Sequence, residues 1–130
     1  MSEAEYDLVV IGSGPAGEKG AVQAAYFGKR VLVIERAAAP GGAAVHTGTL
    51  PSKTLREAAI FLSGYHSRQL YGITVCLEET ATVPMLMRRK DAIADAEVQR
   101  INDNLGRHEV EYLTGHARFV DECTDAVETP

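Results

Sequence analysis

The residues best suited to chemistry lie in the first half of the chain. Gly12-Ser13-Gly14-Pro15-Ala16-Gly17 has G-x-G-x-x-G spacing and directly follows the apolar run Leu8-Val9-Val10-Ile11. Gly12 permits a tight turn, Gly14 lets backbone approach a pyrophosphate, and Gly17 lets a following helix pack on the strand. The start of that helix would offer free N–H groups and a positive dipole end to phosphates. Glu35 ends the next apolar run, where a carboxylate can accept both hydroxyls of an adenosine ribose and would repel a 2′-phosphate. The spacing therefore points to a dinucleotide with an unphosphorylated ribose. A ligand-free strand-to-helix turn and an exposed acid at a strand end are the alternatives. Gly41-Gly42 marks either a bare turn or a second place where backbone meets a ligand. Lys53 falls near a helix start, where the dipole disfavours a cation. It is either solvated or held by an anionic or electron-rich partner.

Other chemistries fit poorly. Gly12 to Lys19 reads G-x-x-x-x-G-E-K, close to a phosphate loop. That motif needs Lys directly after the second glycine and then Ser or Thr, and an anionic Glu18 would repel phosphate there. Cys76 and Cys123 form no C-x-x-C pair, and His46, His66, His108 and His116 fall at no metal-ligand spacing. No metal site is expected.

The elements that must position these residues follow a strand–helix–strand pattern. Tyr6 to Ile11 predicts a parallel strand covered on both faces. Pro15 to Phe27 predicts a helix whose Gly17, Gly20, Ala21, Ala24 and Ala25 allow close approach to the sheet. Gly28 suits its C′ position, with Lys29 and Arg30 at the negative dipole end. Val31 to Ile34 predicts the second strand, in a right-handed parallel unit. Residues 36–44 read as a loop, and Val45 to Lys53 as a lead into a helix with Pro51 in its first turn and a stripe of Leu55, Ala58, Ala59 and Leu62. Turns and short extended pieces are expected from Ser63 to Ala81. Thr82 is placed to cap a long helix ending at Gly106, its inward stripe built from Leu86, Ile93, Ile101 and Leu105 beside Ala94 and Val98. Glu109 to Leu113 and Gly115 to Val120 predict two further strands. Residues 121–130 read as a polar, frayed tail.

The 130 residues allow one domain at most. A net charge of −5 argues against nucleic acid or an anionic membrane as the main partner. No apolar run is long enough to span a bilayer, no signal pattern opens the chain, and the two cysteines read as reduced thiols of a cytoplasmic protein.

By Lys53 the residues resemble a family, the flavoprotein pyridine nucleotide-disulfide oxidoreductases of the glutathione reductase and dihydrolipoamide dehydrogenase type. The match runs through Gly12–Gly17, Glu35, Gly41-Gly42, Gly48-Thr49-Leu50-Pro51-Ser52-Lys53 and Gly115-His116-Ala117-Arg118-Phe119. The resemblance implies an α/β Rossmann-like FAD-binding domain over residues 1–120, with an incomplete parallel sheet and the start of an antiparallel meander. It implies that Gly12, Ser13, Gly14, Pro15, Ala16 and Gly17 hold the pyrophosphate and Glu35 the ribose. Arg36, Gly41, Gly42, Ala43, Ala44 and Thr49 would border the cofactor, and Gly115, His116 and Ala117 would lie beside the adenine. Lys53 would stand near the reactive nitrogen of the flavin ring, as the catalytic residue, where its charge can stabilise reduced flavin.

Two departures shape the functional expectation. Disulfide reductases of the family carry C-x-x-x-x-C after the double glycine, where this chain has Ala44 and Thr49. With neither thiol, electrons have no route to a disulfide substrate. Thr49, His46 and Glu18 are instead similar to the transhydrogenase branch, which passes hydride from NADH to NADP through FAD, although that branch usually keeps the first cysteine. Family members also continue into NAD(P) and dimerisation domains and form homodimers. This polypeptide alone is therefore expected to bind FAD weakly or fold poorly, and not to turn over. A non-catalytic FAD or ADP module, or a dihydrolipoamide dehydrogenase-like remnant, is the alternative.

Overall fold

The computed structural model describes residues 4–64, 71–72 and 83–129. His66, Cys76 and Thr82 lie outside the described residues, as do most of the turns expected between Ser63 and Ala81. Strand β1 (Leu8–Ile11) pairs in parallel with β2 (Val31–Glu35), Leu8 opposite Val31 and Ile11 opposite Ile34. Strand β3 (Glu111–Thr114) pairs in parallel along the other edge of β2, setting Glu35 opposite Thr114. Helix α1 (Pro15–Tyr26) connects β1 to β2. Helices α2 (Gly42–His46), α3 (Thr49–Leu62) and α4 (Val83–Arg107) come between β2 and β3. Strands β4 (His116–Phe119) and β5 (Asp125–Glu128) form a separate antiparallel pair. The mixed α/β class, with a parallel sheet and a small antiparallel one, is the class expected.

Alternation along β2 decides where the core sits. Val31 and Val33 share one sheet face and pack with Ala21 of α1, Val45 of α2, and Ile101 and Leu105 of α4. Each buried side chain of this size is worth about 1.5–3 kcal/mol. Helix α1 ends as its sequence implies: Gly28 has φ +75°, its N–H donates to Ala25 O, and that of Lys29 donates to Ala24 O. These two bonds satisfy carbonyls that the helix end would otherwise leave free. At the opposite end of the strands from the glycine turn, Arg30 Nε and Nη2 donate to Glu111 Oε1 at 3.2 and 3.1 Å, and Tyr6 Oη donates to Glu111 Oε2 at 2.8 Å.

Several expectations need correction. Strand β1 is not covered on both faces, since Ile11 is 46% exposed. Residues 36–44 are not wholly loop, because Gly41 at φ +114° turns the chain into α2. On α3 the buried position is Thr54, whose hydroxyl donates to Leu50 O, whereas Leu55 is 37% exposed. Helix α4 passes Gly106 and stops at Arg107, and Glu109 takes φ +55° before β3 begins at Glu111. The tail is not frayed throughout. Ala126 and Val127 pair with Arg118 and Ala117, so the folded unit runs past Val120 to Glu128.

Candidate functional site

The glycine turn sits at the carboxyl ends of β1 and β2, the end at which open parallel sheets bind their ligands. Gly12 N–H donates to Ile34 O at 2.7 Å and continues the β1–β2 ladder by one residue. Gly12 then adopts φ +98°, a backbone that glycine supplies without strain. A Cβ on Gly17 would stand 2.0 Å from Gly12 O, so this glycine is required for packing. A Cβ on Gly14 would meet nothing within 4 Å, which leaves the helix start open to a ligand. Helix α1 begins on Gly14 with no side-chain cap, and Pro15 has no N–H to satisfy. The Ala16 and Gly17 amides of its first turn are therefore left as donors suited to an anion.

Glu35 is 8% exposed and divides its carboxylate between two tasks. Oε2 accepts from Ser13 N at 2.8 Å and Ser13 Oγ at 2.7 Å, which anchors the glycine turn to β2. Oε1 accepts from Ala37 N at 2.9 Å and keeps a lone pair for a further donor such as a ribose hydroxyl. Burial alone would raise this carboxyl, but the N–H groups of Ala37 and Ser13, the Ser13 hydroxyl and the Arg36 N–H outweigh it, and the group stays below its ordinary value. Gly41 N–H donates to Ser13 O at 3.1 Å, and a Cβ on Gly42 would come within 3.1 Å of Gly14 Cα. The double glycine thus brings the start of α2 against the start of α1. Gly115 N–H donates to Glu35 O at 2.9 Å, and a Cβ there would strike Val127 at 2.6 Å.

Gly12, Ser13, Gly14, Gly17, Glu35, Gly41, Gly42 and Gly115 are therefore gathered at one end of the sheet, with Pro15 and Ala16 in the first turn of α1. His116 and Ala117 follow at once in β4. The remaining candidates stand on neighbouring elements. Ala43 and Ala44 lie in α2, and Ala43 O accepts from Gly48 N at 2.6 Å at the turn into α3, which Thr49 opens. Arg36 and Lys53 are exposed, and among the described residues neither side chain makes a hydrogen bond or ion pair. His46 donates from Nε2 to Pro40 O at 2.9 Å. No group of three His, Cys, Asp or Glu among the described residues could hold a metal ion. No described helix is long and apolar enough to cross a membrane.

The surroundings of two groups at the site are not foreshadowed by motif. Glu18, in the first turn of α1, is 2% exposed and bound by Arg100 and Asn104 of α4. The signal was an i, i+4 polar pair flanking the Ile101–Leu105 stripe, on the side that meets α1. The Tyr112 hydroxyl of β3 is buried and, among the described residues, meets no partner in good hydrogen-bond geometry; burial raises it, the Ser13 side chain opposes that rise, and the Glu35 charge adds to it.

The cradle has counterparts among known proteins. Residues 6–129 match the family model described as pyridine nucleotide-disulphide oxidoreductase. The chain is 44% identical over 124 residues to a soluble pyridine nucleotide transhydrogenase of Mycobacterium bovis (strain BCG / Pasteur 1173P2), covering 95% of this chain and 26% of that protein. It is 35% identical over 124 residues to the enzyme of the same description from Chromohalobacter salexigens, again 95% of this chain and 27% of the relative. The chain thus spans about a quarter of the length of the curated relatives it matches. Among solved structures it is similar to the Cu(II) complex of the HOCl-induced flavoprotein disulfide reductase RclA from Escherichia coli. That likeness has a TM-score of 0.75 at 25% identity and covers 98% of this chain and 25% of the other. A glycine turn, strand-end glutamate and double glycine that meet in space, matched along nearly all of the chain, place it in the pyridine nucleotide-disulphide oxidoreductase family.

Proposed function

We propose that this chain is the FAD-binding part of a transhydrogenase-like flavoprotein that moves hydride between NADH and NADP without a redox disulfide. One observation carries the reading: Ser13, in the glycine turn that opens the uncapped α1, is bonded to Glu35 at the end of β2, an arrangement suited to a pyrophosphate beside a free ribose. Gly14, Ala16 and Gly17 would hold the phosphates, Glu35 Oε1 a ribose hydroxyl, and Gly41-Gly42 the backbone on the opposite side. Bound FAD would supply a two-electron relay between the two nicotinamides. Lys53 would bring an unpaired ammonium toward the ring, favouring its anionic reduced form. Ala44 and Thr49 carry no sulfur, which supports direct hydride exchange over thiol chemistry. The nicotinamide site, homodimerisation and full turnover are assigned to a protein of the relatives' length.

The test is an equilibrium titration of the purified, folded chain with FAD, read in the flavin absorbance spectrum before and after denaturation. Saturable binding that is lost on unfolding supports the reading. A folded chain that takes up no FAD overturns it. Retention of ADP with refusal of FAD would assign the crevice to an adenine nucleotide module instead.

A further inference from the structure

Glu18 presents an electrostatic problem. It follows the glycine turn by one residue, and its N–H donates to Gly14 O at 2.9 Å within the first turn of α1. A buried carboxylate here sets a negative charge beside the amides that would receive a pyrophosphate, and reduces the pull of the helix start on anions. Taking that charge out of water is also costly unless it is paired.

The partners come from α4, 82 residues further along the chain. Arg100 Nη1 donates to Glu18 Oε1 at 3.2 Å and Nη2 to Oε2 at 3.1 Å, a two-pronged contact. Asn104 Nδ2 donates to Oε1 at 2.7 Å, and Lys19 Nζ lies 3.0 Å from the same oxygen. Arg100 is steadied from its own helix by Glu97, with Nη2 at 2.8 Å from Oε1 and Nε at 3.0 Å from Oε2. Lys19 is exposed and belongs to the same turn as Glu18. The ammonium is therefore a solvated single-point partner, whereas Arg100 meets the carboxylate with a planar two-pronged fork.

We infer that Arg100 is a positioning residue of the dinucleotide crevice, acting through Glu18: it neutralises and orients that carboxylate so that the start of α1 stays attractive to phosphate. The inference rests on the FAD reading and deepens it. Docking of α4 on α1 then bears on cofactor affinity as well as on packing. Without Arg100, the Glu18 charge is left with its neutral partner Asn104 and a solvated lysine.

A charge cycle separates this from a merely structural tie. FAD dissociation constants of the 130-residue chain are measured by fluorescence titration for wild type, Arg100→Gln, Glu18→Gln and the double variant, with circular dichroism to verify folding. Arg100→Gln is expected to weaken FAD binding about tenfold, a typical effect of one uncompensated charge. Adding Glu18→Gln should restore affinity to within about threefold of wild type, although the ion pair is still absent. The penalty in Arg100→Gln should also shrink as salt rises. If wild type binds FAD and the double variant is no better than Arg100→Gln, the inference fails while the FAD reading stands. If folded wild type takes no FAD, the FAD reading itself fails and the inference with it. Should Arg100→Gln not fold, wild type and Glu18→Gln decide: removing the paired charge should leave affinity within about threefold, and a tenfold loss overturns the inference.

Discussion

At the scale of single residues, two of the glycines at the site do opposite things. Gly14 leaves room for something outside the protein, whereas Gly17 leaves room for Gly12 O, which a Cβ would approach to 2.0 Å. Gly17→Ala should therefore destabilise the fold by about 2–3 kcal/mol or more through forced backbone movement, read as a fall in the urea midpoint. Gly14→Ala should barely move that midpoint, because the added methyl group meets no protein atom within 4 Å. Charge at the same place predicts a pH response. Glu18 and Glu35 are each subject to burial that raises them, outweighed by hydrogen bonds that lower them below their ordinary value of 4.5. The folded state thus binds fewer protons than the unfolded one, and the stabilisation is present above pH 4.5. It is lost as pH falls through the lower folded values. Urea midpoints measured from about pH 7 to about pH 3 should decline below that point, and Glu18→Gln should flatten part of the decline.

At the scale of elements, local signals were legible and distant ones were not. Gly28 marked the end of α1 because a left-handed residue after a helix is a local requirement, met here at φ +75°. Gly28→Ala should cost about 1–2 kcal/mol, seen as a lower thermal midpoint with the fold retained. Glu35 and the glycine turn were legible for the same reason, since strand, turn and helix follow within a few residues. Strand β5 was not, because Asp125–Glu128 mixes polar and apolar residues and its pairing depends on β4. Nor was the burial of Glu18, whose partners are fixed only when α4 docks. The exposure of Leu55 and the burial of Thr54 show how the path of α3, rather than side-chain polarity alone, chose its buried face.

At the scale of the whole molecule, the parallel sheet is closed from within by β2, and β2 is completed late. Its first partner lies about a helix away in the chain, but its second, β3, arrives only after α2, α3 and α4. Glu35 and Gly115 become linked at that moment, as do Glu18 and Arg100. Such separated contacts must overcome loop-closure entropy before they return any stability, so they slow folding. The crevice therefore has a history in time. In stopped-flow refolding, α1 helicity should develop in an early phase, and the ability to quench FAD fluorescence should follow only with the slowest one. On the ribosome, the glycine turn would emerge tens of residues before the strand and helix that complete its surroundings, with Val33 and Ile34 uncovered in the interval. The glycine turn comes early in the chain, and the strand and helix that complete its surroundings come late.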